Sequence, residues 1–244
     1  LLTSAFSLLA KNLSLKTRIC QKARMVTINE NRLKKLATLE AIYTLHADLM
    51  QTLDLACRAG CDVCCTRNVS LTSLEAVLIS NHLKKADRPD LDDSLTAAKN
   101  LPRFQPLVTT NGLAHLCRLG KEPPEETVNP DWRPCPFLVD HRCSIYAVRP
   151  FACRCMVSKT VCQQDGQAEI DDHLLSLNTV FMQFIEHADV SGYTGNLIDM
   201  LLPRTPGAEK SSRISNRPIE MILLPPEHQS RGHDIITKLN ALFP

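Results

Sequence analysis

The sequence predicts a mainly α protein: a single helical domain with a small, irregular cysteine-rich metal subsite and a short β-hairpin. Three observations predict it. Apolar residues recur at helical spacing in several long segments. Strand signals are confined to short stretches around one turn. Eleven cysteines among 244 residues fall into groups instead of scattering through apolar stripes.

Hydrophobic residues make up 44% of the chain and charged ones 22%, enough for a sizeable core. The net charge of +2 and an aromatic content of 5% give neither the field nor the stacking platforms that nucleic acid requires. No stretch approaches the ~18 apolar residues of a membrane span. Nucleic acid and membrane are therefore excluded as expected partners. No protein partner is legible.

Residues 1–24 are basic, with no acid before Glu30, and precede Met25. They are read as a non-native or targeting extension outside the fold. Residues 25–200 are expected to form the cysteine-cluster domain, and 201–244 a polar linker with a C-terminal helix.

Asn31–Ala56 reads as a helix, because Ile42, Leu45, Leu49, Leu53 and Ala56 lie on one face. Gly60 is its expected stop, which places Cys57 in the last turn. Thr72-Ser73-Leu74-Glu75 forms a capping box opening a second helix, with Leu74, Val77 and Leu78 inward. Short helices follow at Leu91–Lys99 and Leu107–Leu119. Cys117 and His115, on the latter, are read as an ordinary packed thiol and a surface or core histidine. Lys121–Pro134 is a proline-rich acidic loop.

Pro136–Leu138 and Ser144–Tyr146 are expected strands around the turn Val139–Arg142. Such a hairpin brings Cys135 and Cys143 together. A helical turn after Arg149-Pro150 then presents Cys153. Asp172–Ala188 is the clearest helix, with Asp171 and Asp172 at its positive end. Arg204–Arg217 is a polar linker or loop, and Asp234–Phe243 a final helix.

The cysteines carry the chemistry. Cys57, Cys61, Cys64 and Cys65 form one group, and Cys135, Cys143, Cys153, Cys155 and Cys162 another; Cys20 and Cys117 stand apart. A disulfide scaffold suits small secreted domains that lack a core. Spacings of two and three residues suit chelation instead, since neighbouring thiolates converge on one ion. Adjacent cysteines such as Cys64-Cys65 rarely bond to each other, because the geometry is strained.

Soft thiolates select zinc, copper(I) or iron–sulfur clusters. Eight of them fill two four-thiolate zinc sites, or supply one iron–sulfur cluster with ligands to spare. Arg67, Arg133, Arg142, Arg149 and Arg154 are near in sequence and placed to neutralise the thiolate charge. Asp171-Asp172 is better explained as a helix start than as a catalytic carboxylate pair. No Gly-rich nucleotide loop, nucleophile elbow or H-E-x-x-H occurs, so no catalytic residue is assigned.

The ordered set Cys57-x3-Cys61-x2-Cys64-Cys65, Cys135-Pro136-Phe137-Leu138, Cys143-Ser144-Ile145-Tyr146, Arg149-Pro150 and Cys153-Arg154 resembles the YkgJ-type cysteine-cluster family. That family is described as a zinc- or iron-chelating domain, and the resemblance spans about residues 55–165. It implies eight metal-ligating cysteines: Cys57, Cys61, Cys64, Cys65, Cys135, Cys143, Cys153 and, best matching the eighth, Cys162, with Cys155 as the alternative.

The implied cofactor is zinc or iron, including an iron–sulfur cluster, and the expected compartment is the cytoplasm. Some relatives are described as flagellin lysine N-methylases, so an iron–sulfur-dependent protein-modifying enzyme is the second implied function. The C-x3-C-x2-C spacing also occurs in radical S-adenosylmethionine enzymes. Here it follows an expected helix instead of a strand, and Val63 stands where those enzymes usually carry an aromatic.

Overall fold

The computed structural model describes residues 30–58, 60–86, 89–127, 133–162, 168–202 and 212–243, except for the side chains of 89–92. The expectations for 1–24, for Cys20, and for parts of 121–134 and 204–217 lie outside the described residues. The chain divides into two compact units, Leu1–Ala37 and Thr38–Pro244. In the first, 30–37 are helical. The second carries both cysteine groups and the core cluster.

Helix α1 covers 38–51 of this unit. It buries Leu39, Ile42, Tyr43 and His46, one stripe at helical spacing. The helix ends earlier than the periodicity predicts. Past residue 51 the helix closes in a tight turn, with the Thr52 and Leu53 N–H groups on the Leu49 and Met50 carbonyls, and the Ala56 N–H bonds to the Ser158 carbonyl at 2.9 Å. A distant backbone partner thus takes the donor that one more helical turn would have used. Leu53 is consequently exposed. Gly60 (φ 90°) serves a tight turn beyond the helix, not its end.

Strand β1 (Ser70–Thr72) leads directly into α2 (Ser73–Ala86). The capping box is realised: the Glu75 N–H donates to Thr72 Oγ1 at 3.3 Å, and the Thr72 N–H to Glu75 Oε2 at 2.7 Å. Ala76 and Ile79 are buried with Leu74, while Val77 and Leu78 are half-buried. The inward stripe is therefore rotated from the expected one. Helices α3 (Pro89–Ala98) and α4 (Thr110–Arg118) follow, and the Thr109 hydroxyl caps α4.

Strands β2 (Leu138–Val139) and β3 (Arg142–Cys143) pair antiparallel, with Leu138 opposite Cys143. The hairpin is tighter than predicted. Asp140 (φ 47°) and His141 (φ 59°) both adopt the left-handed conformation of a two-residue turn. The flanking residues curl back toward the cysteine sulfurs and do not extend the strands. A 3-10 turn (Tyr146–Val148) and α5 (Phe151–Arg154) complete this limb.

Helix α6 (Asp172–Ala188) has the expected bounds, and Asp171 caps it by accepting from the His173 N–H. Strand β4 (Tyr193–Asn196), helix α7 (Leu197–Leu201), strand β5 (Arg213–Ser215) and helix α8 (Gln229–Asn240) finish the fold. The sheet order is β1-β4-β5, antiparallel throughout. Strand β5 falls inside the segment read as a linker. Three residues are too few to print an alternating pattern, and the strand exists because β4 offers it an edge.

Helix α8 begins before its apolar run. Gly232 packs there so closely that a Cβ would meet Leu224 at 2.7 Å. The core joins α2, α3, the hairpin and α7 through Leu71, Ile79, Leu95, Phe137, Ile145 and Ile198. Full burial of Phe137 contributes about 1.5–3 kcal/mol. Among the described residues no helix is long and apolar enough to cross a membrane.

Candidate metal centre

Three stretches of chain carry the cysteines, and backbone bonds fix each to another. The first runs through Cys57–Cys65 as two tight turns: the Cys61 N–H donates to the Arg58 carbonyl at 3.1 Å, and the Cys65 N–H to the Asp62 carbonyl at 2.8 Å. The second is joined to it by a short bridge. The Cys135 N–H bonds to the Cys65 carbonyl at 3.0 Å, and the Arg67 N–H to the Arg133 carbonyl at 3.3 Å. The third follows α5, where the Ala56–Ser158 bond sets the Cys57 backbone beside the stretch leading to Cys162. The hairpin tip is tied down as well, His141 Nδ1 lying 2.7 Å from Asp62 Oδ2.

These constraints bring Cys57, Cys61, Cys64, Cys65, Cys135, Cys143 and Cys153 to the wall of one cavity of about 380 Å³. Met50, Leu53, Phe137, Ile145 and Met156 form much of the remaining wall. The thiols are all free. They line the cavity without converging on a point: among the described residues no three His, Cys, Asp or Glu side chains already stand together at metal-binding spacing.

The electrostatics follow from burial and crowding. Burial pushes the Cys135 thiol up to about 11. It drives Cys153 well above the ordinary thiol range, with the Cys135, Cys143 and Cys64 charges adding to the shift. Burial likewise raises Cys57 and Cys143. Cys64 and Cys65 form a hydrogen-bonded pair that lowers Cys64 to about 6 and raises Cys65 strongly.

Against burial stand backbone amides aimed at sulfur: Ser158 on Cys57, Phe137 on Cys135 and Ile145 on Cys143. The Arg149 guanidinium, also on the cavity wall, favours the thiolates of Cys64 and Cys143. Such N–H and guanidinium donors stabilise coordinated sulfur. The remaining deficit is positive charge among crowded thiolates, which a divalent cation supplies. The donor set therefore fits a soft metal.

Arg149 and Arg154 are the two of the five expected arginines that reach the cavity. Arg154 bonds the Arg149 and Ala147 carbonyls and stacks over Tyr43, holding the turn before α5. Arg67 is buried, whereas Arg133 and Arg142 are exposed. Of the two candidates for the eighth position, Cys155 lines a separate cavity beneath α6, and its thiol donates to the Ala152 carbonyl at 3.4 Å. Cys162 is half-buried, within electrostatic range of Cys57. Cys117 on α4 does not line this cavity, but it is exposed and not the packed thiol expected.

Sequence reading recognised Glu75 only as a cap. The structure gives it a second task. The residue is 3% exposed, and its carboxylate accepts from the Tyr43 hydroxyl at 2.7 Å and the Phe151 N–H at 2.7 Å. One side chain thereby anchors α5, which carries Cys153, to α1 and α2. The signal was a capping glutamate in an unusually apolar helix start, but nothing local names Phe151 as its partner.

Residues 56–173 match the family model CxxCxxCC, described as "Putative zinc- or iron-chelating domain". These residues belong to that family. The CxxCxxCC match begins one residue before Cys57 and ends as α6 begins, so it contains all three cysteine-bearing stretches. The family name spells C-x2-C-x2-C-C, whereas this chain has Cys57-x3-Cys61. The extra residue is absorbed in the turn that Gly60 permits. A YkgJ-type identity fits the CxxCxxCC match, and the domain is metal-binding in kind. No curated protein and no solved structure gives a significant match.

Proposed function

We propose that this chain chelates zinc or iron through Cys57, Cys61, Cys64, Cys65, Cys135, Cys143, Cys153 and Cys162. The observation that carries the reading is the gathering of seven cysteines, from groups some seventy residues apart, onto one cavity wall. Disulfide use would instead pair them off. Cys162 is preferred to Cys155 because it lies near Cys57 while Cys155 serves the other cavity. Thiol ligands have to stay reduced, so the protein acts in a reducing compartment such as the cytoplasm. Eight thiolates saturate the metal and leave no open coordination position, so the centre stabilises structure or stores, transfers or senses the ion.

The test is anaerobic purification of the full chain, with metal and acid-labile sulfide measured on the same sample. Zinc or iron bound in the wild type, and its content lowered in Cys64→Ser and in Cys135→Ser but not in Cys117→Ser, is the expected result. A metal-free protein whose cysteines oxidise to defined disulfides would overturn the proposal.

A further inference from the structure

The eight thiols are not equivalent in how the backbone holds them, and the difference sorts them into two sets. One set belongs to the hairpin. Cys135 and Cys143 sit at the two arms of β2 and β3, each sulfur facing the amide two residues ahead, at Phe137 and Ile145. Cys65 is bound to this pair by the bond between its carbonyl and the Cys135 N–H. Cys153 is delivered from the other side by α5, whose first N–H is held by Glu75.

The other set belongs to the crossing of 56–58 with 156–162. The Ala56 N–H bonds to the Ser158 carbonyl at 2.9 Å, and the Ser158 N–H faces the Cys57 sulfur. The Lys159 N–H bonds to the Glu169 carbonyl, and Cys162, three residues after Lys159, is close enough for its charge to act on Cys57. Cys61 follows Cys57 after one turn, and Cys64 lies inside the next, which the Cys65 N–H closes on the Asp62 carbonyl before the chain enters the bridge to the hairpin.

We infer that the domain holds two metal ions in separate four-thiolate sites, one made by Cys57, Cys61, Cys64 and Cys162 and the other by Cys65, Cys135, Cys143 and Cys153. The inference rests on the thiolate reading above and deepens it. A closed structural site takes four sulfurs in a tetrahedron. The cavity is also roomier than one such ion needs, at about 380 Å³. The adjacent pair Cys64-Cys65 then joins the sites, one residue serving each. This explains why two neighbouring cysteines are useful where a disulfide between them would be strained.

The test uses the reduced, metal-free full chain titrated with zinc(II), and with cobalt(II) as a coloured probe. The wild type is expected to bind two ions per chain. Cys57→Ser and Cys162→Ser should each lose one, Cys143→Ser and Cys153→Ser the other, Cys57→Ser/Cys143→Ser both, and Cys155→Ser neither. Because a cysteine variant can fail to fold, the wild type alone gives a second reading: zinc X-ray absorption should show four sulfurs per zinc and no nitrogen or oxygen. One ion per chain, a single cluster containing sulfide, or a mixed first shell would overturn the two-site assignment while leaving thiolate chelation standing. No bound metal at all would overturn both.

Discussion

The cysteine-bearing stretches and the frame around α6 are built on different principles. In the frame, Glu186 and Gln183 on α6 are satisfied by fixed partners. The Glu186 carboxylate accepts from the Thr109 hydroxyl and from the N–H groups of Asn111 and Arg217. Gln183 reaches Asn111, Met221 and Leu223. Asp189, just past the helix, accepts from the Ser73 hydroxyl and the Leu74 N–H. Around the cysteines, by contrast, a few backbone bonds hold irregular chain against a cavity lined with crowded sulfurs. A frame with its own hydrogen bonds folds without help. A thiolate cluster gains its rigidity from the ion that neutralises it.

The sharpest way to break that contrast is to damage the frame and ask whether the metal notices. Glu186→Ala orphans three buried donors at once, at roughly 1–3 kcal/mol each. Denaturant unfolding should show a loss of about 3 kcal/mol or more, yet the metal content of the protein that remains folded should be unchanged.

The His46 side chain offers a pH-dependent version. It is wedged edge-on between Phe151 (4.7 Å between centroids) and Phe181 (5.0 Å), and Nε2–H donates to Asn178 Oδ1 at 3.1 Å. Burial lowers it from 6.5 to about 4. A depressed histidine contributes its full stability above pH 6.5 and loses it as pH falls toward 4. The shift from 6.5 to about 4 corresponds to about 3 kcal/mol. In metal-free protein, stability should decline through that window, and His46→Phe should flatten the decline. An unchanged pH profile in the variant would show that His46 is not the titrating group.

The smallest expected effect joins the two regions. Glu75→Gln keeps the shape of the side chain but turns an amide toward one pair of its four donors, at a cost of about 1–3 kcal/mol. Because Glu75 holds the Phe151 N–H, zinc affinity should fall at the site containing Cys153 and stay constant at the site containing Cys57. Equal loss at both would mark Glu75 as a general stabiliser.

Long-range contacts explain what the sequence concealed. Helix α6 was legible to the residue because its signal is periodic and its start is marked by Asp171. The capping box of α2 was equally local. The end of α1 was not, since it depends on Ser158, about a hundred residues away. The three-stranded sheet was missed because each strand is three or four residues long and pairs with distant partners. In the site, the motif order that carries the family resemblance pointed to eight cysteines, of which seven line the cavity and Cys162 does not. The reach of Glu75 to Phe151 and the His141–Asp62 link had no sequence signal, because each joins elements that meet only in the folded chain.

On the proposed function, metal holds the cysteine stretches while the frame holds itself. Amide hydrogen exchange on the full chain, with and without a thiol-competing chelator under reducing conditions, tests it most directly. Chelation is expected to strip protection from 55–67 and 133–162 and to leave α6 and β4 protected. Protection that is unchanged everywhere, or lost equally across the frame and the cysteine stretches, would contradict it.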